Sequence, residues 1–152
     1  MKLSRILDKD LVVPRLKSRY KIDAIGEILD KVIDKFPHLD RKTLEAKIIE
    51  RENIENTSYG RGFAFPHART DAVDEMYTAL GLAPEGLEDK TEDQQSLRVI
   101  CLMLTPSTIS KSYLQTLSAF ASFARTPGNT EKLLSASGVD KIIDVIEESG
   151  VE

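Results

Sequence analysis

The sequence predicts an α/β protein: one domain over residues 1–152, a mixed parallel and antiparallel sheet with helices on both faces. Three observations lead there. Leu97 to Leu104 is a nearly continuous apolar run, the pattern of a central strand covered on both sides. Ile22, Ile25, Ile28, Leu29, Val32, Ile33 and Phe36 recur at helical spacing, as do Val139, Ile142, Ile143 and Ile146. Short gaps between candidate strands, such as Ala68 to Met76, allow antiparallel pairing, so a mixed sheet is expected rather than a purely parallel one.

Taken in order, Leu3, Ile6 and Leu7 predict one helical turn. Leu11-Val12-Val13, closed by Pro14, reads as a short strand. The first apolar stripe predicts a helix from about Tyr20 to Phe36, interrupted by Pro37 and His38. Asp40 is a plausible N-cap for a second helix that turns Leu44, Ile48 and Ile49 inward and ends near Asn53. Phe63-Ala64-Phe65 predicts a short strand that stops at His67, because Pro66 has no amide hydrogen and pushes Phe65 toward extended geometry. Tyr77 to Leu82 reads as a strand, Pro84 to Gln95 as a polar surface loop, and Leu97 to Leu104 as the central strand. Thr105-Pro106-Ser107 offers helix-start chemistry for a helix to about Ala124 with Leu114, Leu117, Ala121 and Ala124 inward. Thr126-Pro127-Gly128 ends it. Helices near Thr130–Ser135 and from about Val139 to Glu148 complete the chain.

Composition narrows the functional classes. The formal net charge of −4 gives no support to a general nucleic-acid or anionic-membrane binder. The single cysteine, Cys101, excludes an internal disulfide framework and sits in an apolar run as core. No apolar stretch reaches membrane-span length, and Met1-Lys2-Leu3-Ser4-Arg5 lacks the apolar block of a signal peptide, so a cytoplasmic protein is expected. No Gly-x-Ser-x-Gly elbow, His-Glu-x-x-His or cysteine pair marks a hydrolase or metal enzyme.

The densest chemistry lies in Gly60-Arg61-Gly62-Phe63-Ala64-Phe65-Pro66-His67-Ala68-Arg69. His67 is one of two histidines in the chain. Held at a stiff strand end, with Arg61 and Arg69 close in sequence, a neutral imidazole suits nucleophilic attack on phosphorus, and guanidinium groups match phosphoryl oxygens. A structural histidine at a turn is the other reading. His38, between two helices, reads as an ordinary exposed side chain, and Phe63 and Phe65 read as core-facing.

The run resembles the phosphorylation-site signature of the type 2 (mannitol/fructose class) enzyme IIA domain of the bacterial sugar phosphotransferase system. Glu52, Tyr59, Gly60, Phe63, Ala64, Phe65, Pro66, His67 and Ala68 carry the resemblance, which extends from about Leu3 to Ile146. Tyr59 and Phe63 are aromatic where the family usually has aliphatic residues. The resemblance implies a mixed sheet flanked by helices, His67 as phosphate acceptor, Arg51 as a stabiliser of the phosphoryl group, and no metal or cofactor. Arg69 occurs beside the site in some members, Arg61 is a departure that could steer a phosphorylated donor or simply face solvent, and Tyr59 could join an apolar rim that docks the donor. Within Ser110-Lys111-Ser112-Tyr113, Tyr113 stands where many members have a second histidine. A tyrosine hydroxyl can donate a hydrogen bond but cannot take up a proton near neutrality.

Two functions follow from the resemblance. One is a phosphotransferase component: a phosphohistidine relay charged by the phosphocarrier protein HPr, or its nitrogen-branch counterpart, and discharged to a cysteine of an enzyme IIB, with the chain expected to be a separate subunit. The other is a nitrogen-branch regulator, whose phosphorylation state controls binding to other proteins.

Overall fold

The computed structural model describes residues 2–108 and 111–152. Strands β1 (Val12–Val13), β2 (Ser58–Gly60), β3 (Phe63–Ala64), β4 (His67–Arg69), β5 (Tyr77–Leu82) and β6 (Val99–Thr105) form one sheet. Helices α1 (Leu3–Ile6), α2 (Lys21–Lys35), α3 (Arg41–Ile54), α4 (Lys111–Arg125), α5 (Asn129–Ser135) and α6 (Val139–Ser149) surround it.

The sheet runs β1-β5-β6-β3-β2, with β4 also on β6. β6 is its axis. It pairs antiparallel with β5, from Tyr77 opposite Leu104 to Leu82 opposite Val99, and parallel with β3 and β4. β1 joins β5 in parallel. The sheet is therefore mixed, as the sequence implies.

The apolar run in β6 feeds two cores because successive side chains leave a strand on opposite faces. Ile100, Leu102 and Leu104 pack with α2 and α3 residues such as Ile28, Leu29 and Ile48. Val99, Cys101 and Met103 pack with Phe63, Phe120, Phe123, Ile142 and Ile146 on the other side. Burying each large side chain stabilises the fold by about 1.5–3 kcal/mol, which makes β6 the strand the fold can least lose. On β5, Gly81 lets α2 lie close: a Cβ there would sit 2.6 Å from Ile28 Cδ1 and 2.8 Å from its Cγ1.

Asp40 caps α3 as the sequence indicates, its carboxylate accepting the Thr43 hydroxyl at 2.9 Å. Five details differ from the sequence expectation. Ile22 is exposed, because it lines the open cleft between α2 and α3 rather than the core. β2 was not anticipated, since Ser58-Tyr59-Gly60 shows no clear apolar alternation. The strand through Phe63 does not stop at His67: it breaks at Phe65-Pro66 and resumes as β4, which begins with the histidine. The helix expected to start at Thr105-Pro106-Ser107 does not start there: Thr105 ends β6, Ser107–Thr108 is a turn, and the described part of α4 begins at Lys111, Ile109 and Ser110 lying outside the described residues. Leu114 is 57% exposed; Thr116, Ala119, Phe120 and Phe123 join Ala121 and Ala124 on the inner face of α4.

Candidate functional site

The break between β3 and β4 builds the site. Pro66 offers no amide hydrogen, so the ladder to β6 skips a donor, yet its carbonyl still accepts from Met103 N at 3.0 Å. Phe65 turns its own amide the other way, to Thr57 O at 3.0 Å. β4 then picks up with His67 opposite Met103. His67 thus lies half-buried on a strand paired with β6, with α3 and α4 supplying its neighbours.

The imidazole is held by its backbone. His67 Nδ1 lies 3.0 Å from Phe65 O. A carbonyl only accepts, so Nδ1 carries the proton and Nε2 keeps its lone pair. Burial lowers the His67 pKa from its usual value. The Arg51 and Arg69 cations lower it too, against the opposing pull of the Phe65 carbonyl and the Glu52 carboxylate. Lowering the pKa keeps the ring neutral, the form that attacks an electrophile.

Arg51 and Arg69 are brought together with His67. They line, with Lys47, Glu50, Ile54, His67 and Ala68, a cleft of about 250 Å³. Arg51, in the last turn of α3, gives Nη1 to Glu55 O at 2.7 Å, and Arg69 gives Nη2 to Ser107 O at 2.8 Å. Neither has a carboxylate ion-pair partner among the described residues, so their remaining N–H groups suit an anion. A larger cleft of about 320 Å³ between α2 and α3 is lined by Asp23, Glu27, Asp30, Glu45 and Arg41 among others. It holds no nucleophile and is the wrong sign for phosphate, so the smaller cleft is the candidate.

Tyr113 stands beside the ring, centroids 5.0 Å apart, with its hydroxyl 3.5 Å from Nδ1. That is too long for a useful hydrogen bond, and Nδ1 is already engaged by Phe65 O. Burial raises the Tyr113 pKa, while Arg51 and Arg69 pull the other way, so both guanidinium groups act on both rings. Tyr59 packs edge-on against Phe65, centroids 5.5 Å apart, and its hydroxyl accepts from Arg125 Nη1 at 2.9 Å. It lies partly exposed beside the residue that holds His67, which suits a rim position.

Arg61 is not brought to the imidazole. It sits in the turn between β2 and β3 with φ 56°, its amide donating to Asp93 Oδ2 at 2.9 Å. The following Gly62 is bonded to Arg98 and Val99 at one end of β6, while His67 pairs with Met103 toward the other. At ~3.3 Å per residue those points lie on the order of 13 Å apart along the strand. His38 is exposed and Cys101 fully buried, as the sequence suggests.

Three neighbours escaped the sequence reading. Lys47 precedes Arg51 by one helical turn, a spacing that carried the signal. Ile54, 76% exposed, forms an apolar edge of the cleft. Lys21, from the distant start of α2, is paired with the signature residue Glu52, a contact no local pattern announces. Among the described residues, no His/Cys/Asp/Glu group could hold a metal ion, and no helix is long and apolar enough to cross a membrane.

Comparison with known proteins fits this geometry. The family model "Phosphoenolpyruvate-dependent sugar phosphotransferase system, EIIA 2" matches residues 5–149. The "PTS system fructose-specific EIIA component" of Haloferax volcanii is 30% identical over 96% of this chain and 95% of its own length. The "PTS system fructose-specific EIIABC component" of Bacillus subtilis is 28% identical over 97% of this chain, which spans only 23% of that protein. In fold, the chain is similar to the "Nitrogen Regulatory Protein IIA-Ntr" of Neisseria meningitidis, with a TM-score of 0.84 at 20% identity over 95% of this chain and 98% of that one. A phosphotransferase-system signature around a neutral, arginine-flanked histidine, and a family match over nearly the whole chain, lead to one conclusion: the chain belongs to the EIIA 2 family of the phosphoenolpyruvate-dependent sugar phosphotransferase system.

Proposed function

We propose that this protein is a phosphohistidine carrier, with His67 Nε2 as the acceptor. The observation that carries the reading is the His67 Nδ1–Phe65 O contact at 3.0 Å, which leaves the Nε2 lone pair for attack. The nitrogen attacks phosphorus in line, the N–P bond forms, and the bond to the donor's imidazole breaks with its electron pair returning to the donor. Arg51 and Arg69 balance the charge on the transferring group, so little is asked of the protein beyond position and electrostatics. The donor is an HPr-like phosphocarrier. The acceptor is a cysteine thiolate of an enzyme IIB, whose attack on phosphorus returns His67 to its neutral state. Tyr59 belongs to the surface that receives these partners, in the cytoplasm.

The test is incubation with phosphoenolpyruvate, enzyme I and HPr. Acid-labile, base-stable phosphate should appear on the protein and vanish in His67→Ala; label surviving that substitution would refute the assignment.

A regulatory output is the second reading. Tyr113 beside His67 favours it, because a side chain that takes up no proton near neutrality gives poor help to a departing phosphoryl group. Rapid loss of label to enzyme IIB supports the relay; stable label with state-dependent binding of another protein supports the regulator.

A further inference from the structure

We propose that Lys21 and Glu52 are positioning residues for the His67 reaction, acting through Thr57 and the Phe65 carbonyl to set which imidazole nitrogen carries the proton. The inference rests on His67 being the phosphate acceptor. Lys21 opens α2 and is only 4% exposed. Its Nζ lies 2.8 Å from Glu52 Oε2, and the two side chains are 5% and 8% exposed. The same ammonium donates to Asn56 Oδ1 at 2.7 Å and Thr57 Oγ1 at 3.1 Å, while the Thr57 hydroxyl donates to Glu52 Oε1. Asn56 Oδ1 also accepts from Ser58 N at 2.9 Å, and Lys21 N donates to Asp89 Oδ1 at 2.7 Å. Every donor of the ammonium is therefore used, and the turn from α3 into β2 is fastened from below.

The chain of contacts ends at the site. Thr57, gripped through its hydroxyl, accepts at its carbonyl from Phe65 N at 3.0 Å. The Phe65 carbonyl in turn accepts from His67 Nδ1 at 3.0 Å. Glu52 also follows Arg51 directly on α3, so the same helical turn carries both the anchored carboxylate and a guanidinium that lines the cleft. Stability alone is a poor account of such a pair, because a buried ion pair is often matched or bettered by apolar residues of similar volume. A network that ends on the histidine's own acceptor has the form of the outer-shell hydrogen bonds that orient a working imidazole. The charged groups nearest His67, namely Arg51, Glu52, Arg69, Lys47 and Glu50, lie on α3 and β4. Lys21 is the cation that reaches Glu52 from a third element.

The test uses the full chain labelled with ¹⁵N. His38 is exposed and serves as an internal reference, since the chain has 2 histidines. In the wild type, His67 should show the Nδ1–H tautomer. Lys21→Met should move its ring nitrogens toward the His38 pattern and slow labelling by HPr about 10-fold or more, in the rate at saturating donor rather than in the donor concentration needed. Lys21→Arg should recover much of both. A lower melting temperature with an unmoved tautomer and an unchanged saturating rate would overturn the proposal. Should Lys21→Met fail to fold, Thr57→Val keeps the ion pair and removes only the linking hydroxyl. It should shift the tautomer in the same sense, and an unshifted tautomer refutes the network. Absence of label on wild-type His67 would sink the acceptor reading instead, while the tautomer measurement would still decide whether this network orients the ring.

Discussion

Replacing Arg51 with methionine tests the electrostatics of the site most directly. Arg51 uses one N–H to close the C-terminus of α3 on Glu55 O and lines the cleft with His67. A hydrogen bond to a charged group contributes about 1.5–3 kcal/mol. Losing one such bond in the transition state slows the reaction about 10- to 150-fold, at 1.36 kcal/mol for each factor of ten. The bond to Glu55 is exposed to solvent, so its loss should cost the fold only about 0.5–1.5 kcal/mol, a drop of a few degrees in melting temperature. Arg51 also lowers the His67 pKa, so its removal raises that pKa and protonates more of the nucleophile at neutral pH. Single-turnover labelling by phosphorylated HPr should therefore be run at about pH 8, above the ordinary histidine range, so that only charge stabilisation is read. Arg51→Lys should fall between the two, because an ammonium keeps the charge without the planar fork. Wild-type speed in Arg51→Met at that pH would show that the guanidinium does not touch the transferring group.

Three further outcomes are expected. The acid limb of the labelling rate should lie below the ordinary histidine value, since protonation removes the Nε2 lone pair; Arg69→Met should move it upward only in part, burial being the larger cause, and an unmoved limb would place Arg69 away from the ring. Tyr113→His should quicken transfer from His67 to an enzyme IIB cysteine, measured by loss of label, and an unchanged rate would make the tyrosine incidental. Gly81→Ala should destabilise the fold by about 1–3 kcal/mol, because the new methyl meets Ile28. That penalty should shrink in an Ile28→Ala background, and a thermal melt in which it does not would refute the close approach of α2.

Much of this fold was legible because burial dictates pattern. Leu97 to Leu104 reads as central because both of its faces are covered, and α6 reads as a helix because its stripe meets only one. The pattern misled where burial and regular spacing part company. Ile22 keeps the spacing of the α2 stripe yet opens onto the cleft between α2 and α3, and Leu114 faces outward in the first turns of α4. Pro66 reads as an ending because it lacks a donor, yet its carbonyl keeps the ladder to Met103 alive and lets β4 begin at His67. The motif that singles out His67 and the position that singles out Arg51 lead to two side chains lining one cleft. Arg61 was misplaced because nearness in sequence says nothing of register, and the turn sends it back along β6. The grip of Lys21 on Glu52 had no local signature, since it depends on how α2 and α3 meet.

The place of β6 in the order of synthesis has a consequence for the newborn protein. The strands that carry and flank the histidine leave the ribosome before the strand that gives them register, Val99–Thr105. At about 5–20 residues per second, the His67 segment waits some seconds without its template. During that interval the nascent polypeptide holds the imidazole without the strand that gives β3 and β4 their register, so the cleft that His67 lines is not yet built.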